Sequence, residues 1–141
     1  MNSWKALMRT GNEAFKSGRL SDAERHYLSA LQRFEHLELL PEQSDDRLIC
    51  LIANHHNLAE LYQRCSDQQR ALQHLMEPHR RVLGLMSDAR GNHRLLQNAS
   101  RAMRYTLPPL MSFARSHPLC DDCMSMLQRS QQWLGAGTTY H

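Results

Sequence analysis

The stretch from Gly11 to Leu31, GNEAFKSGRLSDAERHYLSAL, constrains the fold of this chain more than any other. Apolar residues recur at helical spacing on both sides of Gly18, which predicts two amphipathic helices joined by a tight turn. Small residues such as Gly11 and Ala23 let the two helices approach closely. The other apolar side chains of this hairpin need cover that a further helix would supply, so the sequence predicts an all-α stack.

The length and composition of the chain fit one helical domain. It has 141 residues, of which 41% are hydrophobic and 22% charged, and this is enough to bury a core. We predict a single domain over residues 1–135, followed by a flexible tail over 136–141. The domain is predicted to contain six helices in three antiparallel hairpins, at about 3–40, 46–87 and 91–134.

Helix boundaries follow from the apolar spacing and from capping residues. Pro78 falls inside the fourth helix and predicts a kink there, while Pro108 and Pro109 predict a kink or a complete break in the fifth. The expected helices are Ser3–Lys16, about 23–40 with Ser21 and Asp22 as its cap, 47–64 with Asp45 or Asp46 as its cap, 68–86, 91–116 and 119–134.

Charge and hydropathy exclude several classes of protein. The formal net charge is +3, and the basic clusters are short and interrupted, which argues against nucleic-acid binding. We find no long apolar run and no secretory signal, so neither membrane insertion nor secretion is expected. The four cysteines are scattered in a chain that needs no disulfides. These features together predict a cytoplasmic protein.

The first hairpin resembles a known repeat. Gly11, Gly18, Ala23, Tyr27 and Ala30 lie at the mutual spacings of the tetratricopeptide repeat (TPR), a helix-turn-helix unit of about 34 residues. The resemblance implies a superhelical stack of hairpins whose concave face binds peptides or partner proteins. It implies no reaction and no cofactor.

Two later segments resemble the same unit, with lengthened helices and connections. In Asn57 to Leu75, Ala59 corresponds to Gly11 and Ala71 to Ala23, while Ser66 replaces the turn glycine. The third unit is the most divergent. Its corresponding positions are Met111, Ala114, Pro118 at the turn, Cys123 and Leu127.

The TPR resemblance also implies a binding face. Asn12 and Asn57 match two asparagines of the TPR subclass that binds a partner's C-terminal carboxylate, whereas Met8 stands in place of its lysine. Ordinary solvent-exposed polar residues are the alternative interpretation. We therefore predict a non-catalytic adaptor or chaperone-like module that binds a protein segment, with self-association through the end hairpins as a further possibility. The candidate partner-binding residues are Arg9, Asn12, Lys16, His56, Asn57, Glu60, Gln63 and Arg64.

A second class of function is a metal- or redox-responsive regulator. His117, Cys120 and Cys123 offer an imidazole and two thiols at ligand spacing, although structural zinc needs a fourth ligand. The alternatives are packing cysteines or a redox pair at a helix start. We find no phosphate loop, no HExxH and no nucleophile motif, so no enzyme is predicted. The other histidines, His55, His74 and His79 among them, lack metal-ligand spacing and are interpreted as surface or edge residues.

Overall fold

The computed structural model describes residues 3–36, 44–89 and 91–139, with side chains for 4–34, 47–89 and 91–132. This part of the chain contains helices and turns and no strand. The all-α prediction is therefore confirmed for the described residues. The six helices are α1 (Ser3–Lys16), α2 (Leu20–His36), α3 (Ser44–Arg64), α4 (Gln68–Asp88), α5 (His93–Ser116) and α6 (Asp121–Thr139).

The predicted helix boundaries agree best with the structure where the helix is next to a tight turn. α1 has the predicted bounds, and Asn92 caps α5 by accepting the N–H of Leu95 at 3.1 Å. α3 already begins at Ser44, so the prediction that Asp45 or Asp46 caps it from outside is wrong. The predicted end of the second helix near Leu40 lies outside the described residues.

The last helix is longer than predicted. We expected it to end at Leu134 because Gly135 follows, but α6 continues to Thr139. A helical glycine costs about 1 kcal/mol relative to alanine, which disfavours a helix without forbidding it. The segment predicted to be a flexible tail is therefore helical as far as Thr139, while residues 140 and 141 lie outside the described part.

The turns of the first two hairpins have the same backbone conformation. Gly18 has a φ of 79° and Ser66 a φ of 60°, both in the left-handed region. The following residues close the two helix ends in the same way: Arg19 N–H donates to Ala14 O at 2.9 Å, and Asp67 N–H to Tyr62 O at 2.8 Å. Ser66 thus adopts a left-handed backbone conformation like that of Gly18.

This conformation predicts that Ser66→Gly stabilises the protein. A left-handed backbone is strained for a residue with a Cβ and not for glycine, although glycine also gains entropy in the unfolded chain. We expect a net gain of about 0.5–1 kcal/mol, measured as a higher urea midpoint with an unchanged m-value. The reciprocal change Gly18→Ser should lower the midpoint, and a midpoint that falls for Ser66→Gly would contradict the prediction.

The prolines do not break their helices. α4 continues through Pro78, and α5 continues through Pro108 and Pro109. The complete break considered for α5 therefore does not occur. Proline has no backbone N–H, so one helical hydrogen bond is missing at Pro78. The residue is buried, so it packs against neighbouring helices.

Positions that correspond between the first two hairpins are buried in the core. Ala23 and Ala71 are both 0% exposed, and Tyr27 and Leu75 are also buried. In the third hairpin, Cys123 and Leu127 are buried at the corresponding positions of α6. The largest contributors elsewhere in the core include Trp4, Phe34, Leu48, Leu51, Leu58, Met103, Leu107, Leu110 and Phe113.

Helices adjacent in sequence are also adjacent in space. α1 packs on α2, α2 on α3, α3 on α4, α4 on α5 and α5 on α6, and α3 also contacts α5. This arrangement places α3 between the first and last hairpins. Among the described residues, no helix is long and apolar enough to cross a membrane.

Candidate functional site

A hollow of about 430 Å³ lies between α1, α2 and α3. We call it the first hollow. The helical spacing of its residues on α1 and on α3 turns them toward the gap between those two helices. Its lining residues are Asn12, Phe15, Lys16, Tyr27, Asn57, Glu60 and Arg64.

A second hollow, of about 360 Å³, is formed by α3, α4 and α5. Glu60 lines both hollows, so they are neighbours along α3. The lining residues of the second hollow are His56, Ala59, Glu60, Gln63, Leu75, Pro109, Ser112, Phe113 and Ser116.

The predicted binding residues converge on these two hollows, with one exception. Arg9 is exposed on α1 but lines neither hollow. The lining residues of α4 and α5 were not predicted, because the third hairpin diverges most from the repeat pattern. The predicted residues in the first hollow are Asn12, Lys16, Asn57, Glu60 and Arg64, and those in the second are His56, Glu60 and Gln63.

The two asparagines contact one another across the first hollow. Asn12 Oδ1 accepts the hydroxyl of Tyr27 at 2.5 Å and the amide of Asn57 at 3.3 Å. Tyr27 is buried, so Asn12 satisfies a hydroxyl that would otherwise lack a partner. Asn12 therefore has a structural role in the hairpin, whereas the contact of Asn57 is long and partly exposed.

Charge in the first hollow comes from two cations and one anion. Lys16 and Arg64 are exposed, and the guanidinium of Arg64 lies 4.6 Å from the centre of the Phe15 ring. This contact holds the Arg64 side chain against the wall of the hollow. Burial, and then the negative charge of Glu60, raise the pKa of Tyr27 to about 12, so Tyr27 stays a neutral donor.

The second hollow contains an imidazole nitrogen without a partner. Nε2 of His56 is inaccessible to solvent and has no hydrogen bond within the described part of the chain. Burial lowers the pKa of His56, which favours the neutral ring. Buried polar atoms are rarely left unpaired in native proteins, so this unpaired nitrogen is an unusual feature of the wall of the second hollow.

The interpretation of His79 as a surface residue is wrong. It is 0% exposed, with Nδ1 2.8 Å from Thr106 Oγ1 and Nε2 2.7 Å from Ser130 Oγ. Ser130 donates its own proton to Met126 O at 2.9 Å, so it accepts the Nε2 proton, and Nδ1 of the neutral ring is the acceptor. Thr106 therefore donates to Nδ1 at 2.8 Å rather than to Met103 O, which lies farther away at 3.4 Å. One neutral imidazole thereby connects α4, α5 and α6. Burial lowers the pKa of His79 to about 4.

His55 is also buried, contrary to its interpretation as a surface or edge residue. It is 4% exposed, and its Nδ1 lies 3.0 Å from Nδ1 of His74, so one of the two rings donates to the other. Burial, followed by the nearby charges of His74 and Arg81, lowers the pKa of His55 to about 3. His55 and His74 are paired, although their sequence spacing showed no relation between them.

Of the predicted set His117, Cys120 and Cys123, the structure brings only the two cysteines together. Cys123 N–H donates to Cys120 Sγ at 3.4 Å, so these two residues are adjacent. His117 instead stacks on Phe113, with ring centres 4.2 Å apart. Among the described residues, no group of three or more His, Cys, Asp or Glu side chains is arranged to hold a metal ion.

These features define an all-helical protein with a polar, two-hollow face along α3. One family model matches residues 2–139, and its description is "Protein of unknown function (DUF2753)". Because the match covers nearly the whole chain, the protein belongs to the DUF2753 family. No curated protein and no solved structure matches the chain.

Proposed function

We propose that this protein is a TPR-like, non-catalytic interaction module that binds an extended segment of a partner protein along the two hollows. The role is that of an adaptor or a chaperone-like protein. The segment carries at least one carboxylate, which binds in the first hollow. The main support for the proposal is that the binding residues predicted from the repeat pattern, except Arg9, line two adjacent hollows on one face.

The placement of the hollows supports a TPR-like arrangement. Their polar lining comes mostly from α1, α3 and α5, the first helices of the three hairpins, and in a TPR stack the first helices form the concave face. The shared left-handed turn of Gly18 and Ser66 and the equal burial of Ala23 and Ala71 support the same repeat. Ridge-and-groove packing of such hairpins leaves one helix of each pair lining the inner surface.

The chemistry of the first hollow suits an extended acidic segment. Asn57 can exchange its 3.3 Å contact with Asn12 for hydrogen bonds to a peptide backbone. Lys16 and Arg64 provide two cations against the single anion Glu60, which leaves an excess positive charge for a carboxylate. The predicted lysine position is occupied by Met8, so Lys16 and Arg64 supply the cations that the clamp pattern lacks.

The second hollow would bind the continuation of the same segment. It offers the exposed side chains of Gln63 and Ser112 as hydrogen-bonding groups, with Phe113 and Pro109 as apolar walls. A segment that runs from one hollow to the other passes Glu60, whose carboxylate can accept a backbone N–H. Two adjacent hollows with polar and apolar walls are typical of peptide grooves.

The test is selection from a display library of random peptides, followed by titration of the purified peptides. We expect peptides with an acidic residue or a free C-terminal carboxylate to bind wild-type protein. Lys16→Glu combined with Arg64→Glu should weaken binding by about tenfold or more, because charge-assisted hydrogen bonds contribute about 1.5–3 kcal/mol each. Asn57→Ala should weaken binding less, because it removes a neutral partner.

The control is Arg129→Glu, a charge reversal of the same kind at a single exposed position of α6 outside both hollows. Asn12→Ala is a poor probe, since it also removes the partner of the Tyr27 hydroxyl. The proposal is wrong if no peptide is selected, or if the double variant and Arg129→Glu bind the selected peptides equally. Sedimentation of the protein without peptide measures self-association. It shows whether the occupant of the hollows is instead a second copy of the chain.

A further inference from the structure

Cys120 and Cys123 lie where the chain enters α6. Cys120 directly precedes the helix and is exposed, whereas Cys123 belongs to its first turn and is 8% exposed within the core. Neither residue lines the two hollows. Any function of this pair is therefore separate from the proposed binding of a protein segment.

The thiol of Cys120 takes the place of a helix-capping side chain. Its backbone carbonyl accepts the N–H of Met124 at 3.0 Å, which makes Cys120 the residue that starts the helix. Its Sγ accepts the free N–H of Cys123 at 3.4 Å, as the oxygen of a capping serine does. The backbone N–H of Cys123 thus points at the Cys120 sulfur, which brings the two residues close together at the start of the helix.

The environments of the two thiols differ in a way that suits two successive steps. Hydrogen bonds from the N–H and thiol of Cys123 lower the pKa of Cys120, against the opposing charge of Asp122. Burial, and then the contact with Cys120, raise the pKa of Cys123. The exposed sulfur is therefore the first nucleophile, and the buried sulfur is protected until a disulfide forms beside it.

We propose that Cys120 and Cys123 form a reversible dithiol–disulfide site that exchanges with low-molecular-weight disulfides. The Cys120 thiolate attacks one sulfur of the disulfide RSSR, which forms a mixed disulfide and releases RS⁻. The Cys123 thiolate, after losing its proton to solvent, then attacks Sγ of Cys120 and displaces the second RS⁻. The two protein thiols lose two electrons and two protons, and RSSR is reduced to two thiols.

The other cysteines provide an internal comparison. Cys65 is exposed and Cys50 is half-buried. Trypsin cleavage after Arg115 and Arg129 places Cys120 and Cys123 together on one peptide, away from both of the others. Reaction at the pair can thus be measured separately in the same molecule.

The experiment incubates the folded, full-length protein with oxidised glutathione and analyses the unreduced tryptic peptides by mass spectrometry. We expect the peptide with both cysteines to lose the mass of two hydrogens, and dithiothreitol to restore it. With iodoacetamide at neutral pH, Cys120 should react about tenfold faster than Cys65. Cys65→Ser should leave the loss of two hydrogens unchanged.

Cys123→Ser tests the order of the two steps. This variant keeps the attacking thiol but removes the resolving one, so it should accumulate a stable glutathione adduct on Cys120. Circular dichroism checks that the variant is folded. The proposal is overturned if wild-type protein carries only separate glutathione adducts, or if Cys120 reacts no faster than Cys65.

Discussion

Lowering the pH from 7 to 5 is expected to reduce the free energy of unfolding by about 2 kcal/mol for each of His55 and His79. Both side chains are buried, and burial lowers their pKa values to about 3 and about 4 from the usual histidine value of about 6.5. Stabilities of single domains are about 5–15 kcal/mol, so an effect of this size is large.

The sign of this pH effect follows from which state, folded or unfolded, binds a proton at the higher pH. In the unfolded chain a histidine binds a proton as the pH falls through about 6.5, whereas the buried neutral rings resist protonation until about 4 for His79. Between these values the unfolded state holds more protons, so acid favours unfolding. The stability from the neutral rings is complete above about 6.5 and is lost progressively as the pH falls toward 4.

The measurement is urea unfolding at a series of pH values between 7 and 4. His79→Gln should be less stable than wild type at pH 7, but its stability should fall less steeply with acid, by up to about 1.4 kcal/mol per pH unit. Ser130→Ala is the matched control, because it removes one hydrogen bond of His79 and keeps the titrating ring. Equal slopes for wild type and His79→Gln would show that His79 does not resist protonation.

The two buried histidines show how far the sequence determines the core. His55 follows Ile52 by three residues and precedes Leu58 by three, and His79 follows Leu75 by four, so both occupy the apolar stripes of their helices. The stripes are a signal of burial, which the interpretation of both histidines as surface or edge residues overlooked. Their hydrogen-bond partners were not predictable, because Thr106 and Ser130 are distant in sequence and depend on how α5 and α6 pack on α4.

The candidate site was predictable where the repeat is well formed. The pattern around Gly11 and Tyr27 led to Asn12, Asn57 and their neighbours, which lie together in the structure. It failed to find Ser112 and Ser116, because the divergent third hairpin offers no small-residue pattern from which to count. Local spacing determines which face of a helix is buried, whereas the junction between hairpins depends on packing over long sequence separations.

Gly11→Ala is expected to destabilise the protein by about 1–3 kcal/mol. A Cβ at this position would lie 2.6 Å from Cε1 and 2.7 Å from Cδ1 of Tyr27, closer than nonbonded carbons approach. The Tyr27 ring is 2% exposed, lines the first hollow and donates its hydroxyl to Asn12. The methyl group must therefore either push α1 and α2 apart or displace the ring and break this hydrogen bond.

Gly84→Ala is the matched control, because it makes the same chemical change inside α4 where nothing lies within 4 Å of the new Cβ. Alanine favours a helix over glycine, so this variant should be stabilised by about 0.5–1 kcal/mol. Urea unfolding of both variants should thus give shifts of opposite sign. If Gly11→Ala were also stabilised, α1 and α2 would not be in close contact at this position, and the alignment of the later hairpins on the first would lose its basis.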